Sequence, residues 1–540
     1  LTMRFPTPLA VLAVLILAGA APLAAQSPDS LRREAESAYR RHDYPASTAL
    51  YLRLTSMTTP SAHDLYNAAC SAALAGRAPD ALGLLLRALD AGFDGYDLLL
   101  ERDTDLASLR VLPGWAEVAA AARGREAARN RMVASLPEPG RVFGALPSAG
   151  YLATLLALDE MDAAHADAPE GWRGLLRELR AWMRAMVGDP VGALALEPGD
   201  ARPRPPLSPS FDALTPVPAV EAILAAARGR RVVMVNEAHH VPQGRVLTLE
   251  LLRGLHDQGF RYFAVEALGS RSGEALARDR YPLLATGTYT RDPVFGELLR
   301  AALRMGYTLV PYDSYPVGCR PTPDDPNRCN TLRDSMAAEK IHAAVFARDP
   351  GAKVLVHAGY SHVVKVPRPG GTQWLGSWLE RRGLAPLAVD QTEMRERAAT
   401  ELEPAEYRRA EALGWLTRPV VLREPGGGWY RSAADGFGSV DLQVFTPRTR
   451  TLHGRPDWLF TRAGRKAAPL SRATRAQIPR DGQPHLVQAF VWGEADAAVP
   501  HDQVVVRGVE APTLALLPGR YRVVVVGRGG EVARGEMTVR

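Results

Sequence analysis

The sequence predicts a multidomain chain: an α-helical N-terminal region, a central α/β domain on a mainly parallel sheet, and a small C-terminal β-sandwich-like domain. Three observations carry this. Residues 31–125 show helical periodicity that recurs after about 34 residues. From 219 onward, short apolar runs alternate with amphipathic helical stretches, as in strand–helix–strand units with parallel strands. From about 480, the runs HLVQAFVWG, QVVVRG and RYRVVVVGRGGEV are β-prone and punctuated by turn residues such as Pro518 and Gly519.

At 540 residues the chain exceeds what one hydrophobic core sustains, and 46% hydrophobic with 23% charged residues is an ordinary globular balance. The formal charge of +6 is spread out and mostly arginine. No short run joins dense basic residues to stacking aromatics, so nucleic acid is not an expected partner.

Taken in order, Arg4, the apolar run 9–21 and PLAAQ at 22–26 have the three-part form of a secretory signal over residues 1–25, cleaved after Ala25. The run is too short to cross a bilayer, and no cysteine follows the cleavage point to carry a lipid. A periplasmic or secreted protein, with no transmembrane segment in the mature chain, is therefore expected. In 31–125, Ala38, Tyr39, Tyr44, Ala49 and Leu52 are answered by Ala72, Ala73, Ala78, Ala81 and Leu85, and the turn RHDYP by GRAPD. Small residues at these places let paired helices approach closely, and the period resembles tetratricopeptide repeats. That resemblance implies a docking surface for a protein or peptide, which in a third reading of the chain makes it chiefly a scaffold; the plainer reading is a helical cap. Residues 126–197 extend the helical pattern, with Leu155, Leu156, Leu158, Leu175, Leu176, Leu179, Trp182 and Met183 as expected core. The stretch 198–218 is proline-rich and reads as an extended linker.

The α/β domain is expected over 219–465 and the last domain over 480–540. Strands are expected at 232–235, 261–265, 308–311, 353–356 and 386–389, with helices near 246–255, 295–305, 332–346 and 374–379. The strands run into Glu237, Glu266, Asp313, His357 and Asp390, and ligands of parallel sheets bind at such carboxyl ends. Cys319 and Cys329 either pair across the loop between them or stay free, while Cys70 reads as a small buried residue.

Imidazole and carboxylate gathered at strand ends suit acid/base chemistry, because the carboxylate fixes the tautomer of a histidine that takes and returns a proton. Glu237 pairs with His239 if the strand continues and with His240 if the chain turns helically after Ala238. Glu266 and His362 reach the same rim. In the other reading His239, His240, Glu266, His357 and His362 hold a metal, since these are good zinc or iron ligands.

The segments NEAHH at 236–240, Glu266, RDSMAAEKI from Arg333, HAGYSHVVK from His357 and TQWLGSWL at 372–379 resemble the erythromycin esterase and ChaN-like superfamily, with TraB/Tiki-type proteins as distant kin. The likeness covers roughly 231–390. It implies a histidine-activated water supported by Glu237 and Glu266. His240 sits at the esterase spacing and His239 at the ChaN- and Tiki-type spacing. Arg333 then faces the cleft to steady negative charge, and His362 is the second histidine. Asn236 stands where the family pattern has glycine. The expectation is an exported hydrolase acting on an ester, lactone or related bond of a small molecule, without a cofactor. The alternatives that the likeness implies are a haem- or metal-binding protein of the ChaN-like type, with Tyr360 or a histidine near iron, and a divalent-metal peptidase of the Tiki-like type.

Overall fold

The computed structural model describes residues 27–540 except 58–59, 97, 198–206, 271, 321, 323–324, 326, 367–370, 433–439 and 508–511. The expected secretory signal at 1–25 and the first part of the linker lie outside the described residues. Among the described residues no helix is long and apolar enough to cross a membrane. The chain forms two compact units, Leu1–Ser135 and Leu136–Arg540.

In the first unit, helices Pro28–Arg40 and Tyr44–Met57 are followed by Ala62–Leu74 and Ala78–Asp90, two antiparallel-type pairs whose starts repeat after about 34 residues. Close approach depends on small side chains: Ala35, Ala38, Ala68, Ala72 and Ala81 are fully buried. The match of Ala49 to Ala81 does not hold, because Ala49 is exposed and Ser47 takes the buried place, bonding Ala35 O and Ser71 Oγ, each at 2.9 Å. The helix Trp115–Ser135 closes this unit and runs through the boundary expected at 125.

The second unit is built on a six-stranded parallel sheet. Its strands are β2 (Val232–Glu237), β3 (Tyr262–Val265), β4 (Thr308–Pro311), β5 (Val354–Gly359), β6 (Leu387–Asp390) and β8 (Leu442–Gln443), in the order β4-β3-β5-β2-β6-β8. Both faces are buried, which explains why the strands read as continuous apolar runs. Val233, Val235, Leu355 and Phe263 point to helices Gln243–Asp257 and Pro293–Arg304, while Val232, Met234, Val354 and Val356 point to Arg328–Ile341 and Leu375–Arg381. β2 and β5 are neighbours, yet the chain leaves β2 on the first face and β5 on the second. A crevice opens where adjacent parallel strands diverge in this way.

Five expectations are corrected. β2 does not stop at Val235: it runs to Glu237, because β5 pairs with it up to Gly359. The end of the expected linker is a strand, β1 (Thr215–Pro218), antiparallel to β7 (Val420–Arg423). Its two prolines are tolerated because the strand is paired on one side only, and neighbouring Phe211 is buried against Tyr407, Leu422 and Phe445. The helices Tyr151–Ala164 and Glu170–Met186 are no separate extension, since their core includes Leu486 of the C-terminal strands. Leu175, expected in that core, is 44% exposed. The C-terminal part is a four-stranded antiparallel sheet faced by the pair Lys466–Pro469 and Thr513–Leu516, with Val487, Val523, Leu514 and Ala468 between them, so it begins before 480.

Candidate active site

Glu237 ends β2 on the face of helix Gln243–Asp257, where Arg245 grips it: Nε–Oε2 is 2.6 Å and Nη2–Oε1 3.0 Å. Arg245 is itself fully buried, 3.0 Å from Asp292, which also caps helix Pro293–Arg304 through the amides of Val294 and Phe295. His357 lies one strand over on the same face, with Nε2 3.1 Å from Glu237 Oε2 and Nδ1 3.1 Å from Thr248 Oγ1. Burial would raise the Glu237 carboxyl, but the charge of Arg245 and the bonds to His239 and His357 hold it well below the usual range. Glu237 is therefore an anion at any working pH.

His239 follows in the turn Ala238–Val241, closed by Val241 N–H to Ala238 O at 2.8 Å. Its Nδ1 is 2.9 Å from Glu237 Oε1. An anionic Glu237 can only accept there, so Nδ1 carries a proton, and in the neutral ring the lone pair is at Nε2. The ring is stacked on Tyr289 at 3.6 Å and edged by Trp182 at 5.6 Å and Tyr360 at 5.1 Å. A Cβ built on Gly359 would lie 2.7 Å from His239 Nε2 and 3.1 Å from Glu266 Oε2, so the free nitrogen and Glu266 flank one small space.

From the other face of the sheet come Glu266, Arg333 and His362. Arg333 donates to Glu266 Oε1 at 2.7 Å and to both oxygens of Asp313 at 2.7 and 2.8 Å, while Glu266 Oε2 accepts from Gly359 N–H. Burial pushes the Glu266 carboxyl up, and His362, His239, Arg333 and that amide outweigh it, bringing it to about 2. His362 holds Asp334 through Nδ1 at 2.7 Å, and its Nε2 is 3.6 Å from Glu266 Oε1 and 3.4 Å from Arg333 Nη1. Burial lowers its pKa, but Glu266 and Asp334 raise it further. The charged imidazolium is favoured, with Glu266 rather than Arg333 as its partner at Nε2.

Of the expected residues, Glu237, His239, Glu266, Arg333 and His362 thus meet at one rim. His240 does not join them. The turn after Glu237 carries it away, to 3.4 Å from Tyr360 OH and 3.8 Å from Glu197, in a group with Arg395 and Arg397. His357 is buried behind Glu237 with both nitrogens engaged. The five expected metal ligands do not form a set: among the described residues, the one group of three His, Cys, Asp or Glu donors within 4.8 Å of one another is Cys70, Asp103 and Asp105 in the first unit. At the rim, the Arg333 guanidinium stands where a cation would be placed, so the donors do not fit a metal centre. Tyr360 OH, offered to an iron centre in the haem reading, faces His240.

Asn236 has a structural task of its own. Fully buried, its Nδ2 donates to Tyr360 O and Asp390 Oδ1, both at 2.8 Å, and its Oδ1 accepts from Gln391 N at 2.8 Å. It fastens β2 to the end of β6 and holds Tyr360 at φ +37°, in the left-handed region. Arg245, Asp334, Trp182 and Tyr289 were not anticipated at the site. Asp334 had a signal, its place beside Arg333, and so had Arg245, a charge on an apolar helix face. Cys319 and Cys329 are disulfide-bonded, and Cys70 is buried.

Fold and site together define an α/β protein with a glutamate–histidine pair facing a glutamate–arginine–histidine group at the carboxyl edge of a parallel sheet. No family model and no curated protein matches the chain. Among solved structures it is similar to the type III effector HopBA1, at 18% identity over 35% of this chain and 89% of that one, with a TM-score of 0.23. It is also similar to RRSP, a MARTX toxin effector domain from Vibrio vulnificus CMCP6, at 13% identity over 71% of this chain and 92% of that one, with a TM-score of 0.27. A structure described as bacterial protein toxins is 13% identical over 66% of this chain and 89% of that one, with a TM-score of 0.25. Likeness at this level carries no argument about activity.

Proposed function

We propose that this protein is an exported hydrolase that activates water with His239 to cleave an ester, lactone or related bond. The observation that carries the reading is the fixed tautomer of His239, with Nδ1 on anionic Glu237 and Nε2 open beside Glu266, opposite Arg333 and His362. Environments that push neighbouring titratable groups apart assign the roles. Glu266 at about 2 is too weak a base to take a proton from water, so it orients Arg333 and His362 instead. Water gives its proton to His239 Nε2 as its oxygen bonds to the acyl carbon, and the carbonyl electrons move to an oxygen facing Arg333 and His362. Collapse breaks the bond to the leaving oxygen, which takes a proton from His362. The proton on His239 returns through solvent and restores both rings. The resemblance to the erythromycin esterase and ChaN-like superfamily supports this reading, and the Cys319–Cys329 bridge supports an oxidising compartment.

The test is turnover of p-nitrophenyl esters by the purified protein. His239→Ala is expected to lose about 10²- to 10⁴-fold in kcat/KM, the usual worth of a positioned base, whereas His240→Ala stays within a few-fold. Equal rates for wild type and His239→Ala remove the assignment. A haem absorption band, or stoichiometric metal lost in His239→Ala, would favour the ligand-binding alternative.

A further inference from the structure

Two ties join the loop after β4 to helix Arg328–Ile341, and both bear on the rim. One is ionic: Arg333 on the helix donates to both oxygens of Asp313, two residues past β4, while its Nη2 also reaches Glu266. The other is covalent: Cys319, six residues further along the same loop, is bonded to Cys329. Cys329 and Arg333 stand four apart in the helix and so share a face, one turn from each other. The bridge therefore anchors the turn from which the guanidinium reaches Glu266 and His362.

Little else holds that turn. From Arg328 to Arg333, Cys329 is the one buried residue, and Leu332 is 41% exposed. Gln373 N–H bonds Thr331 Oγ1 at 3.2 Å. The packed part of the helix begins beyond, with Asp334 bonded to Leu375 N–H and His362, and then Ala337, Ala338 and Ile341 in the core. Opening the bridge loosens the start of the helix and leaves its core in place. Position also makes the bridge reducible. Cys319 is half-buried, so an incoming thiolate attacks its sulfur, and the sulfur released belongs to Cys329 in the first turn of a helix, where the dipole favours a thiolate and hence its departure.

We propose that the Cys319–Cys329 bridge is a positioning device for Arg333, so that turnover falls when a dithiol reduces it. The dithiol gives two electrons and two protons, the S–S bond breaks, both cysteines become thiols, and the dithiol closes to its own disulfide. The effect on rate rests on the hydrolase reading; the effect on the helix does not. The experiment uses the full chain, oxidised or reduced with dithiothreitol, with reduction checked by thiol counting. It follows p-nitrophenyl butyrate turnover and amide hydrogen exchange. Reduction is expected to lower kcat about tenfold or more, as for a misplaced oxyanion donor, with KM changed by less than about threefold, and reoxidation with oxidised glutathione restores it. Exchange protection falls at 330–333 and holds at 337–341. The double variant Cys319→Ser, Cys329→Ser has the reduced kcat with or without dithiothreitol. Arg333→Ala separates positioning from general loosening: it starts with a low kcat and loses less than about twofold more on reduction, because both changes act through one guanidinium. An unchanged kcat in the fully reduced wild type, a second loss of about tenfold in Arg333→Ala, or collapse of the whole fold by circular dichroism overturns the proposal. If no form cleaves the ester, the hydrolase reading fails, and the exchange at 330–333 alone decides the proposal, which unchanged protection there overturns.

Discussion

His239 owes its position to the absence of one side chain. A Cβ on Gly359 would lie 2.5 Å from its Cε1, and the ring cannot retreat, because Tyr289 is stacked 3.6 Å behind it and Glu237 holds Nδ1 at 2.9 Å. Gly359 has φ −79°, which alanine adopts freely, so only the close approach demands glycine. Gly359→Ala is expected to cost about 1–3 kcal/mol in stability, the range for overpacking. It should also lower kcat at least tenfold in ester hydrolysis, with little change in KM. Full kcat in a folded Gly359→Ala protein would mean that the ring does no chemistry. This residue scale is where sequence reasoning was most uneven. Glu237, Glu266 and His357 stood out because they interrupt apolar runs at strand ends. The choice between His239 and His240 did not, because the turn after β2 follows from its pairing with β5, a tertiary fact. Trp182 reads as helix core and Tyr289 as an ordinary loop residue, and only the fold brings them to His239.

Among the elements, the join between β2 and β6 has the most to lose. Asn236 satisfies Asp390, Gln391 N–H and Tyr360 O from one buried side chain. Asn236→Gly strands Gln391 N–H and Tyr360 O in the interior, at about 1–3 kcal/mol for each left unpaired, while Asp390 keeps its bonds from Thr392 and Gln443. It also frees Tyr360 from its left-handed conformation, which costs of order 1 kcal/mol to hold. A urea midpoint well below that of wild type is expected, together with reduced turnover. A midpoint within error of wild type would show that the amide is dispensable. The parallel strands themselves were legible, because strands buried on both faces are bounded by polar residues. β1 was not, since two prolines in four residues read as linker until the antiparallel partner β7 is known, and β8 is only two residues long.

Within the second unit as a whole, the α/β part and the C-terminal strands are joined by the buried ion pairs of Arg300 with Glu494 and Arg455 with Asp502, and by His501 lying 3.3 Å from Glu297. These joints give the fold a pH dependence whose sign can be worked out. Burial brings His501 down to about 4, against the pull of Glu297. Between that value and the unfolded value of about 6.5, the unfolded chain holds a proton that the folded chain lacks, so stability rises with pH and is lost as pH falls through this window. At about 1.36 kcal/mol per unit, the loss has a ceiling of about 3 kcal/mol. His362, with its raised pKa, acts oppositely and elsewhere: its contribution is complete below about 6.5 and fades as pH rises through the folded value. The lowered carboxylates Glu237, Glu266 and Glu297 begin to cost stability only below about 4.3. In the range from pH 6.5 to 4.5 His501 acts together with His240, which burial also lowers, and against Asp292, Asp334 and Glu396, whose carboxyls burial raises, so the contribution of His501 is read as the difference between wild type and His501→Leu. Urea unfolding of wild type across it should show a falling midpoint, and His501→Leu should flatten that fall while its midpoint at pH 7 reports any packing loss separately. If the two proteins have parallel slopes, the buried imidazole does not link this interface to pH.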